Sequence, residues 1–270
     1  MSQQAVYTHG HHASVLRSHS WRTVQNSAAY LIPYLKPNMT ILDVGCGPGT
    51  ITADLAAKYV PEGHVTGLDV PAVLDTARKN AEERSVTNIT FTPGDALALP
   101  FPDASFDVVH AHQVLQHVGD PVQVLREMRR VAKPGGIVAT RETDFSGMAW
   151  WPQLDGMEEW RQGYMKVARA NGGEPDAGRR LHVWAKAAGY PPESLTLSAG
   201  TWCYWTPEER KWWSEIWAER TLSSNFSSTA KQHGVYTQEG LEKVAEVWRK
   251  WGADEDAWFT LIHGELISKV

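Results

Sequence analysis

Between residues 40 and 144, short runs of β-branched and other apolar residues alternate with stretches of helical period. The runs 40–44, 64–69, 88–92, 106–111 and 136–140 predict five strands. Successive strands begin about 20–30 residues apart, the length of a βα unit, and that rhythm predicts a parallel sheet with helices on both faces. The helix ahead of the fifth strand is the most clearly marked. Asp120 caps it, Pro121 suits its first position, and Val122, Leu125, Met128 and Val131 recur at helical spacing. Lys133-Pro134-Gly135-Gly136 then stops it and turns the chain into the strand. Upstream, Trp21, Val24, Ala28, Leu31 and Leu35 form a stripe with steps of three and four, predicting an amphipathic helix disturbed at Pro33.

After residue 144 the texture changes. Of the 13 tryptophans, only Trp21 precedes residue 150, so the C-terminal part carries its own aromatic pattern. Helices are predicted over 154–170, 177–188, 207–222 and 238–251. Two strand-like runs, 195–205 and 258–268, are expected to pair antiparallel at the sheet edge, with the helices of 207–251 inserted between them as a lid.

Hydrophobic residues make up 42% and charged residues 21%, which places the chain among globular proteins rather than disordered ones. Lys and Arg total 26 against 31 Asp and Glu, and no basic cluster appears. Gripping a phosphate backbone requires such a face, so no nucleic-acid partner is expected. Residues 1–10 lack a basic stretch followed by an apolar one, and the longest apolar runs are broken well before bilayer length. Together with only two cysteines, Cys46 and Cys203, this predicts a cytoplasmic protein without a membrane partner or disulfide framework. His9, His11 and His12 cluster, but no metal-ligand spacing accompanies them and no metal is expected.

The chemistry concentrates where the first strand ends, in Asp43-Val44-Gly45-Cys46-Gly47-Pro48-Gly49-Thr50. Alternate glycines allow backbone angles and close ligand approach that a Cβ would block. At the carboxyl end of a strand beside the switch point of an open sheet, such a loop is where a nucleotide-like ligand lies. Asp69 ends the second strand, where a carboxylate accepts hydrogen bonds from ribose hydroxyls. A dinucleotide fingerprint would place glycine at position 50, where this chain has Thr50. Asp43 discriminates further. A carboxylate repels a pyrophosphate but attracts a sulfonium and an ammonium, a difference on the order of several kcal/mol at contact distance.

Asp43 to Gly49, Asp69, Gly94-Asp95-Ala96, Phe106-Asp107-Val108-Val109 and Lys133 to Gly136 occur in the order seen in class I S-adenosylmethionine-dependent methyltransferases. The chain most resembles small-molecule methyltransferases of the ubiquinone/menaquinone-biosynthesis type, over roughly residues 7–144. The resemblance implies an α/β, Rossmann-like, mostly parallel sheet with helices on both faces plus a helical C-terminal lid. Residues 1–145 would form the donor-binding core with its N-terminal helix, and 146–270 the Trp-rich lid with two edge strands. It implies that Gly45, Cys46, Gly47 and Gly49 line the methionine and ribose of S-adenosylmethionine, with Asp43 near the amino group and Asp69 on the ribose. Gly94, Asp95 and Ala96 would meet the adenine. Ala111, His112 and Gln113 would pass under the methyl, and Gln116 and His117 would face the acceptor. Tyr7 and Arg22 would close over the donor, Arg22 on its carboxylate.

The implied reaction is direct SN2 transfer to an O, N, S or C nucleophile of a small organic acceptor. The protein then mainly aligns the reactants, and a base is needed only for a protonated acceptor. His112, His117, Glu142 and Asp144 are the candidate bases, and no spacing singles one out. Cys46 reads as a small loop residue rather than a nucleophile. The tryptophans at 202, 205, 212, 213, 217, 248, 251 and 258 supply either lid packing or an aromatic acceptor cavity. Two alternatives stand beside this: the same fold binding the donor without transfer, as a cyclase or regulatory module, and a nicotinamide oxidoreductase. The acceptor, the atom methylated and the oligomeric state stay open.

Overall fold

Ile41 and Leu42, Val108 and Val109, and Ile137 and Val138 send neighbouring side chains to opposite faces of one seven-stranded sheet, in a computed structural model that describes residues 19–270. Strands β1 (Thr40–Val44), β2 (His64–Asp69), β3 (Ile89–Pro93), β4 (Phe106–His112) and β5 (Ala132–Trp151) are parallel neighbours. β6 (Leu195–Tyr204) and β7 (Trp258–Lys269) add an antiparallel edge, giving the order β3-β2-β1-β4-β5-β7-β6. Both faces of the parallel half are covered, so its strands read as near-continuous apolar runs.

On one face Ile41, Val65, Val108, Ile137 and Ile267 pack against Val24 of α1 (Val24–Ser27) and Ile51 of α2 (Thr50–Asp54). α3 (Pro71–Glu83) turns Val73, Leu74, Ala77 and Ala81 inward. On the other face Leu42, Val109, Val138 and Leu266 meet Leu125 and Met128 of α4 (Pro121–Val131). The face is completed by Leu181 and Ala185 of α6 (Leu181–Ala187), which follows α5 (Met157–Ala170) in the chain. Asp120 caps α4 by accepting from the Gln123 amide, as its sequence predicts.

Two elements differ from expectation. The stripe from Trp21 to Leu35 is not one helix: α1 is a single turn, Ala28 sits at φ −140°, and a 3-10 turn spans Ala29–Tyr34. Pro33 has no amide hydrogen for an α-helical bond, and the Val24 amide, which has no acceptor within its own turn, donates to the buried Asp54 carboxylate at 2.9 Å. β5 runs far past Thr140 to Trp151 because β7 pairs along it as far as Trp151 opposite Trp258. The boundary between residues 145 and 146 therefore falls inside one strand.

The far half of β5 buries Phe145, Met148 and Trp150 in a second core. There it meets α5, α7 (Pro207–Ser223), α8 (Asn225–Gln232) and α9 (Gln238–Ala253). Thr206 and Glu209 form a capping box that starts α7. Trp160 stands edge-on to Trp248 with ring centroids 4.6 Å apart, and Trp217 lies stacked on Trp248 at 5.7 Å. Among the described residues no helix is long and apolar enough to cross a membrane.

Candidate active site

The switch point lies between β1 and β4, the neighbours from which the sheet grows in both directions. Past the end of β1 the glycine loop needs the left-handed region, with Gly45 at φ +67° and Gly47 at +55°. A Cβ on Gly45 would sit 2.4 Å from Val114 Cγ2, so this glycine lets the loop pack against the segment after β4. A Cβ on Gly47 would meet nothing nearer than His19 Nδ1 at 3.8 Å, so it would project into open space. That space is a cavity of about 360 Å³.

Asp69 ties the loop to β2: its carboxylate accepts from the Gly47 amide at 2.7 Å and from the Val70 amide at 2.7 Å. Both it and Asp43 line the cavity. Asp43 and His110 are register partners on β1 and β4, so their side chains share a face, and His110 Nδ1 lies 2.8 Å from Asp43 Oδ1. The Thr52 hydroxyl donates to Oδ2 at 2.6 Å. The buried carboxylate is thus held in one orientation while each oxygen keeps a lone pair for a ligand. Burial, and then Asp43 and Asp69, push the Cys46 thiol well above its usual range, which leaves it a protonated wall residue.

The segment after β4 forms the opposite wall. Gln113 adopts φ +55°, and its amide donates to the Arg141 carbonyl at 2.8 Å. Its side chain accepts from Arg22 at 2.6 Å and lies 2.9 Å from His263 Nε2. Glu142 pins the next turn by accepting from the amides of Val114, Leu115 and Gln116 at 3.0, 2.9 and 3.1 Å. Burial nonetheless pushes its carboxyl up to about 7. His112 lines the cavity, buried, and neither ring nitrogen has a hydrogen-bond partner among the described residues. Burial, then Arg22 and Arg141, hold its pKa well below the ordinary value. His117 is pushed down to about 3 by burial, then by Arg22 and Arg220. Both rings are neutral at physiological pH.

His19, Arg22, Gln113 and His117 also border a second, inner chamber of about 40 Å³. Its remaining walls include Trp202, Tyr204, Trp213 and Trp217 of the aromatic core. Gln116 accepts from the Thr143 amide at 3.0 Å and from its hydroxyl, which turns its amide nitrogen to donate to His117 Nε2 at 3.0 Å.

Of the residues singled out by sequence, Arg22, Asp43, Gly45, Cys46, Gly47, Asp69, His112, Gln113 and His117 meet around the larger cavity. Others do not. Asp144 lines neither cavity, because Arg179 grips both its oxygens at 2.6 Å. Ala111 lies in the sheet core. A Cβ on Gly49 would press on Ala77 and Phe91 at 3.0 Å, which makes that glycine a helix-packing residue. Gly94, Asp95 and Ala96 fall outside the lining: Gly94 packs on Leu68, and Asp95 caps its own turn at the Leu97 amide. Tyr7, His9, His11 and His12 lie outside the described residues. Sequence reasoning missed His19, His110, Tyr204 and Arg220, none of which sits in a recognisable motif; the signal for His110 was its register opposite Asp43.

The cradle beside Gly47, the oriented Asp43 carboxylate and the unpartnered His112 ring together fit a cationic adenosyl ligand. The family model described as a methyltransferase domain matches residues 35–204. An uncharacterized methyltransferase of Schizosaccharomyces pombe is 36% identical over 275 residues, covering 99% of this chain and 98% of that protein. The demethylmenaquinone methyltransferase of Listeria welshimeri is 43% identical over 115 residues, which are 42% of this chain and 49% of that one. A solved structure of Haemonchus contortus phosphoethanolamine N-methyltransferase 2, in complex with phosphomonomethylethanolamine and S-adenosylhomocysteine, shares the fold. It is 19% identical, with a TM-score of 0.53 over 89% of this chain and 52% of that one. The family match over more than half the chain and a relative aligned along nearly its whole length establish that this protein belongs to the S-adenosylmethionine-dependent methyltransferases.

Proposed function

We propose that the protein methylates a small organic acceptor whose reactive end reaches the wall shared by the inner chamber and the larger cavity, with the donor lying in the larger cavity. The observation that carries this reading is the shared wall: Arg22, Gln113 and His117 border both spaces, so the two reactants meet there. When bound, the donor supplies an already activated methyl, so alignment and exclusion of water are what the protein must add. In this reading Asp43 attracts the donor's cationic groups, Asp69 receives its ribose hydroxyls and Arg22 meets its carboxylate. His112 and Gln113 lie under the methyl. Glu142 acts as a positioning residue, since its oxygens are turned to the backbone of Val114 to Gln116. His117, with a pKa pushed to about 3, is too weak a base for a phenol near 10 and orients the acceptor instead.

Residues 1–145 would then supply the donor site and 146–270 most of the acceptor wall. The absence of a basic cluster in the sequence favours an acceptor other than nucleic acid, and the two unbonded thiols fit a reducing cytoplasm. Calorimetry on ligand-free protein should register S-adenosylhomocysteine uptake, and incubation with phenols, thiols and amines should release that product from S-adenosylmethionine. No uptake sinks the donor site; uptake with every acceptor silent sinks the transfer to a small molecule.

A further inference from the structure

We propose that His263 is a positioning residue for methyl transfer: by accepting from the Gln113 side chain it holds the Gln113 oxygen toward Arg22 and so fixes the wall between the two cavities. On β7 the side chains of Leu261, His263, Glu265 and Ile267 share one face, Leu261 in the aromatic core and Ile267 in an aliphatic one. His263 and Glu265 interrupt that apolar row. A fully buried ring in such a place needs partners for its nitrogens, and the partner of Nε2 is Gln113, 2.9 Å away and 150 residues earlier in the chain.

The donors fix the direction of each bond. Arg22 carries only N–H groups, so the Gln113 atom 2.6 Å from its Nη2 is the oxygen. That turns the Gln113 NH2 to His263, where Nε2 must accept. The neutral ring then carries its proton on Nδ1, where the Leu261 carbonyl takes it. The other tautomer would set two N–H groups against each other between Gln113 and His263. Arg141 Nη2 lies 3.2 Å from the same Nδ1 but is a donor too, so this is a contact of charge rather than a hydrogen bond. Arg141 is held elsewhere, through Nη1 to the Asn26 carbonyl at 2.8 Å and through Nε to Glu265 at 3.4 Å. Burial, then Arg141 and Arg22, hold the His263 pKa well below the ordinary value, which keeps the Nε2 lone pair available.

Gln113 adopts φ +55°, a conformation that a residue other than glycine keeps only where its surroundings over-determine it. Its amide bond to the Arg141 carbonyl is one restraint; Arg22 and His263 supply the others. Gln113 and Arg22 line both cavities and His263 lines neither, so His263 acts on a ligand through Gln113. The choice of ligand rests on the donor reading above, in which Arg22 meets the carboxylate of the donor's methionine end. Without the His263 lone pair the amide is free to turn its NH2 toward Arg22, donor against donor, and the guanidinium loses its place.

The test is calorimetric titration of the whole chain with S-adenosylhomocysteine and with 5′-methylthioadenosine, which lacks the amino-acid end. His263→Leu removes the acceptor and should weaken S-adenosylhomocysteine binding by roughly tenfold or more while leaving 5′-methylthioadenosine little changed. His263→Gln, whose side-chain oxygen can take the place of Nε2, should retain most of the affinity. Gln113→Asn tolerates the left-handed backbone but is too short to span both partners. It should reproduce the selective loss, and adding His263→Leu to it should change little further. Equal weakening of both ligands makes the role structural and overturns the proposal. So does His263→Leu with undiminished S-adenosylhomocysteine affinity, or His263→Gln as weak as His263→Leu. Should His263→Leu not fold, undiminished selectivity in Gln113→Asn overturns it alone. An unaltered protein that takes up no S-adenosylhomocysteine overturns the donor reading instead.

Discussion

Asp43 and Glu142 are both buried acids, yet their surroundings give them different work. Asp43 keeps free lone pairs on the cavity side of its bonds to His110 and Thr52. Asp43→Asn keeps the shape and removes the charge, so the Kd for S-adenosylmethionine should rise about tenfold or more, a charged hydrogen bond being worth roughly 1.5–3 kcal/mol. S-adenosylhomocysteine should lose less, because only the donor carries the sulfonium, and paired calorimetric titrations read the difference. Glu142 has all its contacts on backbone amides and one threonine hydroxyl. Glu142→Gln places a donor against donors and should destabilise the fold by about 1–3 kcal/mol in urea unfolding.

The same carboxyl predicts a pH signature. Its folded pKa is raised to about 7, so between its ordinary value and 7 the folded state holds more proton than the unfolded one. Its contribution to stability is therefore full at low pH and lost as pH rises through 7. His117 runs the other way: with its folded pKa depressed to about 3, its contribution is full above the ordinary histidine value and lost as pH falls. The difference between unaltered and Glu142→Gln unfolding free energies, measured from pH 5 to 8, should isolate the falling component. A pH-independent difference would remove Glu142 as its source.

At the scale of elements, the loop between β1 and α2 assigns its glycines separate tasks. Gly45→Ala meets Val114 at 2.4 Å and adds left-handed strain, so it should lower stability by roughly 1–3 kcal/mol. Gly47→Ala carries a similar backbone strain but points into the cavity, so it should weaken donor binding more than its stability loss accounts for. Melting curves with and without S-adenosylhomocysteine separate the two effects. The alternation of strand and helix was legible because each parallel strand is apolar on both faces and each helix carries one apolar stripe. The length of β5 was not. Thr140, Arg141, Glu142, Thr143 and Asp144 are five polar residues in a row, which reads as a strand's end. All five are buried: Glu265, the 114–116 amides, Gln116 and Arg179 partner the last four from distant parts of the chain, and the Thr140 hydroxyl donates to Glu142.

The whole molecule has two kinds of core, aliphatic on both sides of the parallel strands and aromatic over the antiparallel edge. Trp160 is fully buried and touches Tyr164, Trp217, Trp248 and Phe259. Trp160→Ala should cost about 3–5 kcal/mol in chemical unfolding and open the inner chamber's supporting wall. What the chain's own order of residues determined was local: the strand and helix periods, the glycine bend, and the carboxylates that end β1 and β2. These follow from backbone geometry and side-chain charge within a few residues. Only the tertiary structure decided that the described cavities are lined by His19, Tyr204 and Arg220 and not by Ala111 or Asp144. For Asp144 and Gln113 the physical reason is that burying a polar group requires a partner, and Arg179 and His263 lie 35 and 150 residues further along the chain.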